Sequence, residues 1–161
     1  MNAYFEFNEE LHQLLLKLDS TEDLYQSGEF DSERTRQRIL LVKPCLEEVY
    51  GQELTLDEAT QDATYYYFLG HQVQFQTESG VDQGFSFQAI FSNFGDLVLV
   101  GSSVLGQKIS RSLFDSTAKC LGTFGFITVS DNAIFGAKYD GHLHGFREAN
   151  CSWGSRFFDY I

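Results

Sequence analysis

The pattern of apolar and polar positions changes period once along the chain, close to residue 62. Before that point the repeat is helical. Phe7, Leu11, Leu14, Leu15 and Leu18 fall at i, i+4, i+7, i+8 and i+11, one apolar stripe on a helix over about residues 8–19 with Asn8 as its cap. Asp31 or Ser32 is placed to cap a second helix, whose Ile39, Val42, Leu46 and Val49 recur at three- and four-residue steps up to Gly51. Pro44 is expected to kink or split that helix, because the ring removes a hydrogen bond and crowds the carbonyl four residues back. Thr55-Leu-Asp-Glu58 has capping-box spacing and predicts a short third helix ending near Asp62.

From Ala63 onward the period is two. Phe85, Phe87, Ala89 and Phe91 alternate with Ser86 and Gln88, as in a half-buried antiparallel strand. Tyr65–Leu69 and Gln72–Gln76 predict strands, with Gly70 a bulge or bend between them. Asn93-Phe-Gly95 predicts a turn into a strand at Leu97–Val100. Ile109, Leu113, Phe114 and Ala118 predict an inserted helix near 109–121, closed by Gly122. A strand at Phe124–Val129, a turn at Ser130–Asn132 and a strand at Ala133–Tyr139 follow. Asp140-Gly141 then has the composition of a hairpin turn, and the aromatic segment Trp153–Tyr160 is expected to form a last strand. The expected fold is α+β, with the N-terminal helices on one face of a mostly antiparallel sheet. No Pro- or Gly/Ser-rich linker divides the 161 residues, so one domain is expected, an acidic helical layer over 1–62 and an aromatic-rich sheet layer over 63–161.

Charge sharpens this division. The chain has 11 Lys and Arg against 23 Asp and Glu, a formal net charge of −12. Residues 1–62 hold 15 acids and 5 bases, whereas residues 63–161 hold 8 and 6; 13 of the 16 Phe lie in the second part. An aromatic content of 16% excludes a disordered acidic tail. The acidity argues against direct binding of nucleic acid, which depends on neutralising phosphates, and against an anionic membrane surface. No segment reaches the roughly 18–20 apolar residues of a membrane span. The N-terminal stretch lacks a basic n-region, so a cytoplasmic location is expected. Cys45, Cys120 and Cys151 are odd in number and without CxxC spacing, which predicts reduced thiols.

Candidate chemistry is sparse. On a strand, His142-Leu-His144 would put two imidazoles on one face, with Asp140 or Cys151 to complete a metal set; two ligands do not define a site, and neither metal nor cofactor is expected. Glu9-Glu10, Glu22-Asp23, Glu47-Glu48 and Asp57-Glu58 are adjacent carboxylates, which on a helix do not face one another. Gly101-Ser-Ser103 lacks the flanks of a nucleophile elbow, and no phosphate-binding glycine motif is present. Enzyme is therefore the weaker class. A small-ligand or metal-binding domain is the alternative to a protein-binding one, and the run Tyr65–Tyr67, read as exposed, would suit an oligomerising module.

The cluster Asp19, Glu22, Asp23, Glu29, Asp31 and Glu33 places six carboxylates within fifteen residues and meets no base before Arg34. Helix capping accounts for part of it. The remaining charge opposes compactness through self-repulsion, and a basic protein partner, steered by the acids and anchored by Tyr25, is the simplest gain in exchange. In size, in this acidic segment, in the missing catalytic motif and in the aromatic ending Trp153-Gly-Ser-Arg-Phe-Phe-Asp-Tyr160, the chain resembles the immunity proteins of bacterial polymorphic toxin systems, including those of contact-dependent growth inhibition. The resemblance implies a cytosolic inhibitor, monomer or weak dimer, that neutralises a cognate basic toxin domain, a nuclease among the options. Its acidic face would fill the toxin's substrate groove, or a sheet edge would pair with a toxin strand.

Overall fold

Leu97-Val-Leu-Val100 is apolar at every position, the pattern of a strand covered on both faces. In the computed structural model, which describes residues 3–58 and 63–159, this segment lies inside a six-stranded sheet. The elements in chain order are β1 (Ala3–Tyr4), α1 (Glu9–Leu18), α2 (Ser32–Tyr50), β2 (Thr55–Asp57), β3 (Tyr65–Thr77) and β4 (Gly80–Ser92). They continue with β5 (Leu97–Gly101), α3 (Arg111–Thr123), β6 (Ile127–Ser130), α4 (Asp131–Phe135), α5 (His144–Glu148) and α6 (Trp153–Phe158). Strand order is β1-β6-β5-β4-β3-β2. β2 through β5 pair antiparallel, and β6 lies parallel to both β5 and β1. The fold is α+β.

The sheet is covered twice. On one face Val98, Val100, Phe87 and Ala89 pack against Ile39, Val42 and Leu46 of α2 and Phe114 and Leu121 of α3. On the other, Leu97, Leu99 and Val129 pack against Leu11 and Leu15 of α1, Ile134 of α4, and Trp153 and Phe157 of α6. The N-terminal helices thus do not share one face; residues 19–31 carry the chain from one side to the other.

The helices start where their caps are. Asn8, Asp31 and Ser110 each accept a hydrogen bond from the backbone N–H three residues on, at 2.9, 2.9 and 3.1 Å. Gly51 closes α2 at φ 81°. Pro44 does not split α2: it and Leu40, whose carbonyl it leaves without an N–H four residues on, both lie on the exposed side of the helix. After α3 the left-handed residue is Gly125, at φ 80°, and not Gly122.

Several expected elements are corrected. Thr55–Asp57 is a strand: Leu54 is buried, its N–H is taken by Glu47 at 2.9 Å, and Glu58 pairs with Arg36 at 2.6 Å instead of closing a capping box. The rest of that expected helix, residues 59–62, lies outside the described residues. β3 runs unbroken through Gly70, and its register against β4 shifts between Tyr65 and Tyr67 and again, one step past Gly70, between His71 and Gln72. The second shift sets Phe85 against Phe68, at 4.7 Å between ring centroids, and so takes it off the face shared by Phe87, Ala89 and Phe91. Ser130 caps α4 and does not open a turn; Ala133–Tyr139 is no strand and Asp140-Gly141 no hairpin. Trp153–Phe158 is a helix capped by Ser152, with Tyr160 outside the described residues. Tyr67 is buried with its hydroxyl on Ser32 at 2.5 Å, and Tyr65 and Tyr66 are half-buried, so this run offers no exposed aromatic face.

Cys45 of α2 and Cys120 of α3 form a disulfide, with 6.1 Å between Cα atoms, and Cys151 is free. This corrects the expectation of three reduced thiols. The pairing is produced by two helices packing across 75 residues, which no local spacing rule detects, and it removes the cysteine count as an argument for a reducing compartment. No described helix is long and apolar enough to cross a membrane.

Candidate functional site

The acidic segment is organised from beneath by one buried cation. Arg156, on α6, and Asp19, which follows α1, pair at 2.8 Å with both side chains fully buried. A buried ion pair is tolerated only where its remaining donors and acceptors are satisfied. Here they are. The Asp19 carboxylate also accepts the Tyr139 hydroxyl at 2.5 Å, the His142 N–H at 2.8 Å and the Ser20 N–H at 3.1 Å. Arg156 donates further to the carbonyls of Leu24, Ser20 and Asp23 at 3.0, 3.1 and 3.0 Å, and its guanidinium lies 4.4 Å over the Phe94 ring. Burial and the facing Asp19 carboxylate push the Tyr139 phenol up to about 12.

This network turns the loop inside out. The carbonyls of Ser20, Asp23 and Leu24 point inward to the guanidinium, and the side chains of Glu22 and Asp23 stand in solvent. Asn93 fixes the next stretch: its side-chain N–H donates to the Tyr25 carbonyl and its own carbonyl accepts the Ser27 N–H, both at 3.0 Å. Tyr66 donates to Gln26 at 3.1 Å and packs edge-on against Phe30. Glu22, Asp23, Leu24 and Tyr25 border an open hollow of about 600 Å³ with Gln26, Ala63 and Tyr66. Leu24 and Tyr25 are 41% and 42% exposed, so this surface combines two unpaired carboxylates with two apolar side chains that solvent reaches.

The seven residues expected to form one acidic face are therefore divided. Glu22, Asp23 and Tyr25 come together. Asp19 does not join them, because its carboxylate is consumed by the buried network. Glu29 and Asp31 line a second hollow of about 430 Å³ that also contains Lys17, Arg34 and Arg38, so its charge is mixed; Asp31 is in addition the cap of α2. Glu33 sits on the first turn of α2 and accepts from Gln37 at 3.2 Å.

The histidines do not assemble a metal site. His142 precedes α5 and His144 opens it, both exposed, with His144 3.4 Å from Glu148 on the same helix. No group of three or more possible ligands occurs among the described residues. His12 instead meets Asp140 at 2.9 Å. Sequence reasoning missed Arg156, Tyr139 and Asn93, which position the loop. The available signal was Arg156 itself, the one charged residue of an aromatic-rich hexapeptide, since Arg is almost never fully buried unless paired.

Comparison of the chain with protein-family models, with curated proteins and with solved structures finds no match.

Proposed function

We propose that the chain is a binding protein for a basic protein partner, acting as an inhibitor of a cognate toxin domain in the manner of an immunity protein, with Glu22, Asp23, Leu24 and Tyr25 as the contact patch. One observation carries the reading: the backbone of residues 20–27 is locked by Arg156 and Asn93 while these four side chains are left to solvent. A patch that is rigid before binding avoids the entropy of ordering it on binding. The carboxylates would speed encounter with a basic surface, and Tyr25 and Leu24 would supply the desolvated anchor that charges alone do not.

The test starts from a tagged chain used to capture partners from its native host, washed at low and then high salt. A stoichiometric basic protein released by salt is the expected catch. With that purified partner, Glu22→Lys together with Asp23→Lys is expected to slow association by at least about tenfold and to flatten its salt dependence, whereas Tyr25→Ala chiefly speeds dissociation. Unchanged association after the double reversal would refute the patch.

A further inference from the structure

The outermost strands of the sheet are short, two residues in β1 and three in β2, which is one way natural sheets keep their edges from pairing with other chains. The β3–β4 ribbon departs from that rule. Its strands stay in register to Thr77 opposite Gly80, whereas β2 covers β3 only over Phe68–Gly70 and β5 covers β4 only over Gln88–Phe91. On the β4 side the chain returns to cover more: Ser103 donates its N–H to the Phe85 carbonyl at 2.9 Å, and its hydroxyl oxygen accepts the Phe85 N–H at 2.7 Å. Among the described residues nothing does the same for β3 beyond His71, whose ring reaches the Glu53 carbonyl at 3.3 Å. Residues 72–77, about 17–20 Å of strand, therefore keep an open edge.

The register says which groups are open. Phe85 turns both its backbone groups away from β3, so Gln72, opposite it, turns its own away from β4, and the alternation of an antiparallel pair repeats this at Gln74 and Gln76. All three glutamines are exposed. Residues 72–85 contain no Lys, Arg or Pro to blunt the edge, and their charged residues are Glu78 and Asp82. The surrounding charge has one sign: from Pro44 to Gln107 the chain has nine Asp and Glu and no Lys or Arg. A second copy would bring the same acidic ribbon against itself, which is unfavourable. A basic strand meets complementary charge.

We propose that the β3 edge at Gln72, Gln74 and Gln76 captures an extended segment of a basic partner protein as an added strand. Main-chain hydrogen bonds supply the affinity, and Lys or Arg side chains of the segment meet Glu78 and Asp82. The inference rests on the reading that the partner is basic, and gives it a contact separate from the Glu22–Tyr25 patch.

The probe is a synthetic peptide of about ten residues alternating Lys and Val, titrated into the full chain while amide exchange is followed residue by residue. At saturation the N–H groups of Gln72, Gln74 and Gln76 are expected to exchange at least about tenfold more slowly, with the remaining amides unaffected. A Glu–Val peptide of the same length, or the Lys–Val peptide N-methylated at every residue so that neither of its edges can pair, is expected to protect none of them. Gln74→Pro removes an outward N–H and Gln74→Lys adds a guarding charge; both are expected to abolish protection, and the lysine variant keeps the test valid if proline disturbs the ribbon. Absence of edge protection in the native chain, or full protection in Gln74→Lys, overturns the proposal. Protection confined to residues 20–26 and lost in Glu22→Lys with Asp23→Lys also overturns it, while leaving the acidic patch in place. Edge protection that persists in that double variant upholds it, even if no basic partner of the patch is found. Peptide-independent dimers built through the same amides would mean that a second copy is the occupant, and overturn it as well.

Discussion

A single carboxylate, Asp19, shows how position outweighs residue type. By composition it belongs with Glu22 and Asp23, yet it is buried against Arg156 and Tyr139, 137 and 120 residues away in the chain. Gly141 serves the same contact. The Asp-Gly pair there makes no hairpin; a Cβ on Gly141 would run into the Asp19 carboxylate and the Tyr139 ring, so glycine is required for close approach. Tyr139 provides a measurable consequence. Its folded pKa, about 12 against an ordinary value near 10, means that the fold prefers the neutral phenol. That contribution to stability is present in full below about pH 10 and is lost as pH rises from about 10 through about 12. Tyr139→Phe gives up the hydrogen bonds to Asp19 and from the Leu143 N–H, and is expected to cost about 1–3 kcal/mol at neutral pH. Between about pH 10 and 12 it should then lose less further stability than the native chain in urea unfolding. Equally steep alkaline losses in both proteins would show that the buried phenol is not the source.

At the level of elements, the Cys45–Cys120 disulfide joins α2 to α3 over the face of the sheet that holds Phe87, Ala89 and Val98. Reduction, or Cys45→Ser with Cys120→Ser, releases a loop of 75 residues and is expected to lower unfolding free energy by about 2–5 kcal/mol, read as a shift in urea midpoint. An identical midpoint with and without reductant, in protein whose mass confirms the bond before reduction, would remove the disulfide from the account of stability. The elements also differ in how far they were legible in the sequence. α1, α2 and α3 announce themselves through two or more turns of apolar repeat, α1 and α2 with a cap as well, and β4 through the alternation from Phe87 to Phe91, because there the local pattern and the tertiary burial agree. The last third was misread where they do not. α4, α5 and α6 have five or six residues each, under two turns, so no 3.6-residue period develops, and the aromatic content of α6 imitates a strand. Pairings such as Cys45 with Cys120 or Asp19 with Arg156 have no local trace at all. The acidic cluster was visible as composition, but its division between two hollows depends on which way the loop carbonyls turn.

For the whole molecule the governing quantity is the charge of −12 on a domain whose radius of gyration is about 15 Å by ordinary size scaling. Screening lengths fall from about 30 Å at 0.01 M salt to about 10 Å at 0.1 M, so most of the repulsion between opposite sides of the molecule vanishes over that interval. Stability in urea, a neutral denaturant, is accordingly expected to rise with NaCl up to about 0.1–0.2 M and then level off. Reversing Glu22 and Asp23 to Lys, two charge units each, changes the net charge from −12 to −8. If these two acids serve binding, with their side chains in solvent and the loop held through its carbonyls, the double variant should gain a few tenths to about 1 kcal/mol at low salt and show a shallower salt dependence. Its association with a basic partner should slow at the same time. Opposite signs for stability and binding are the mark of a charge kept for recognition. A double variant that is less stable than the native chain at low salt would instead make Glu22 and Asp23 part of the fold, and the origin of the acidic surface would have to be sought at the β2–β3 edge.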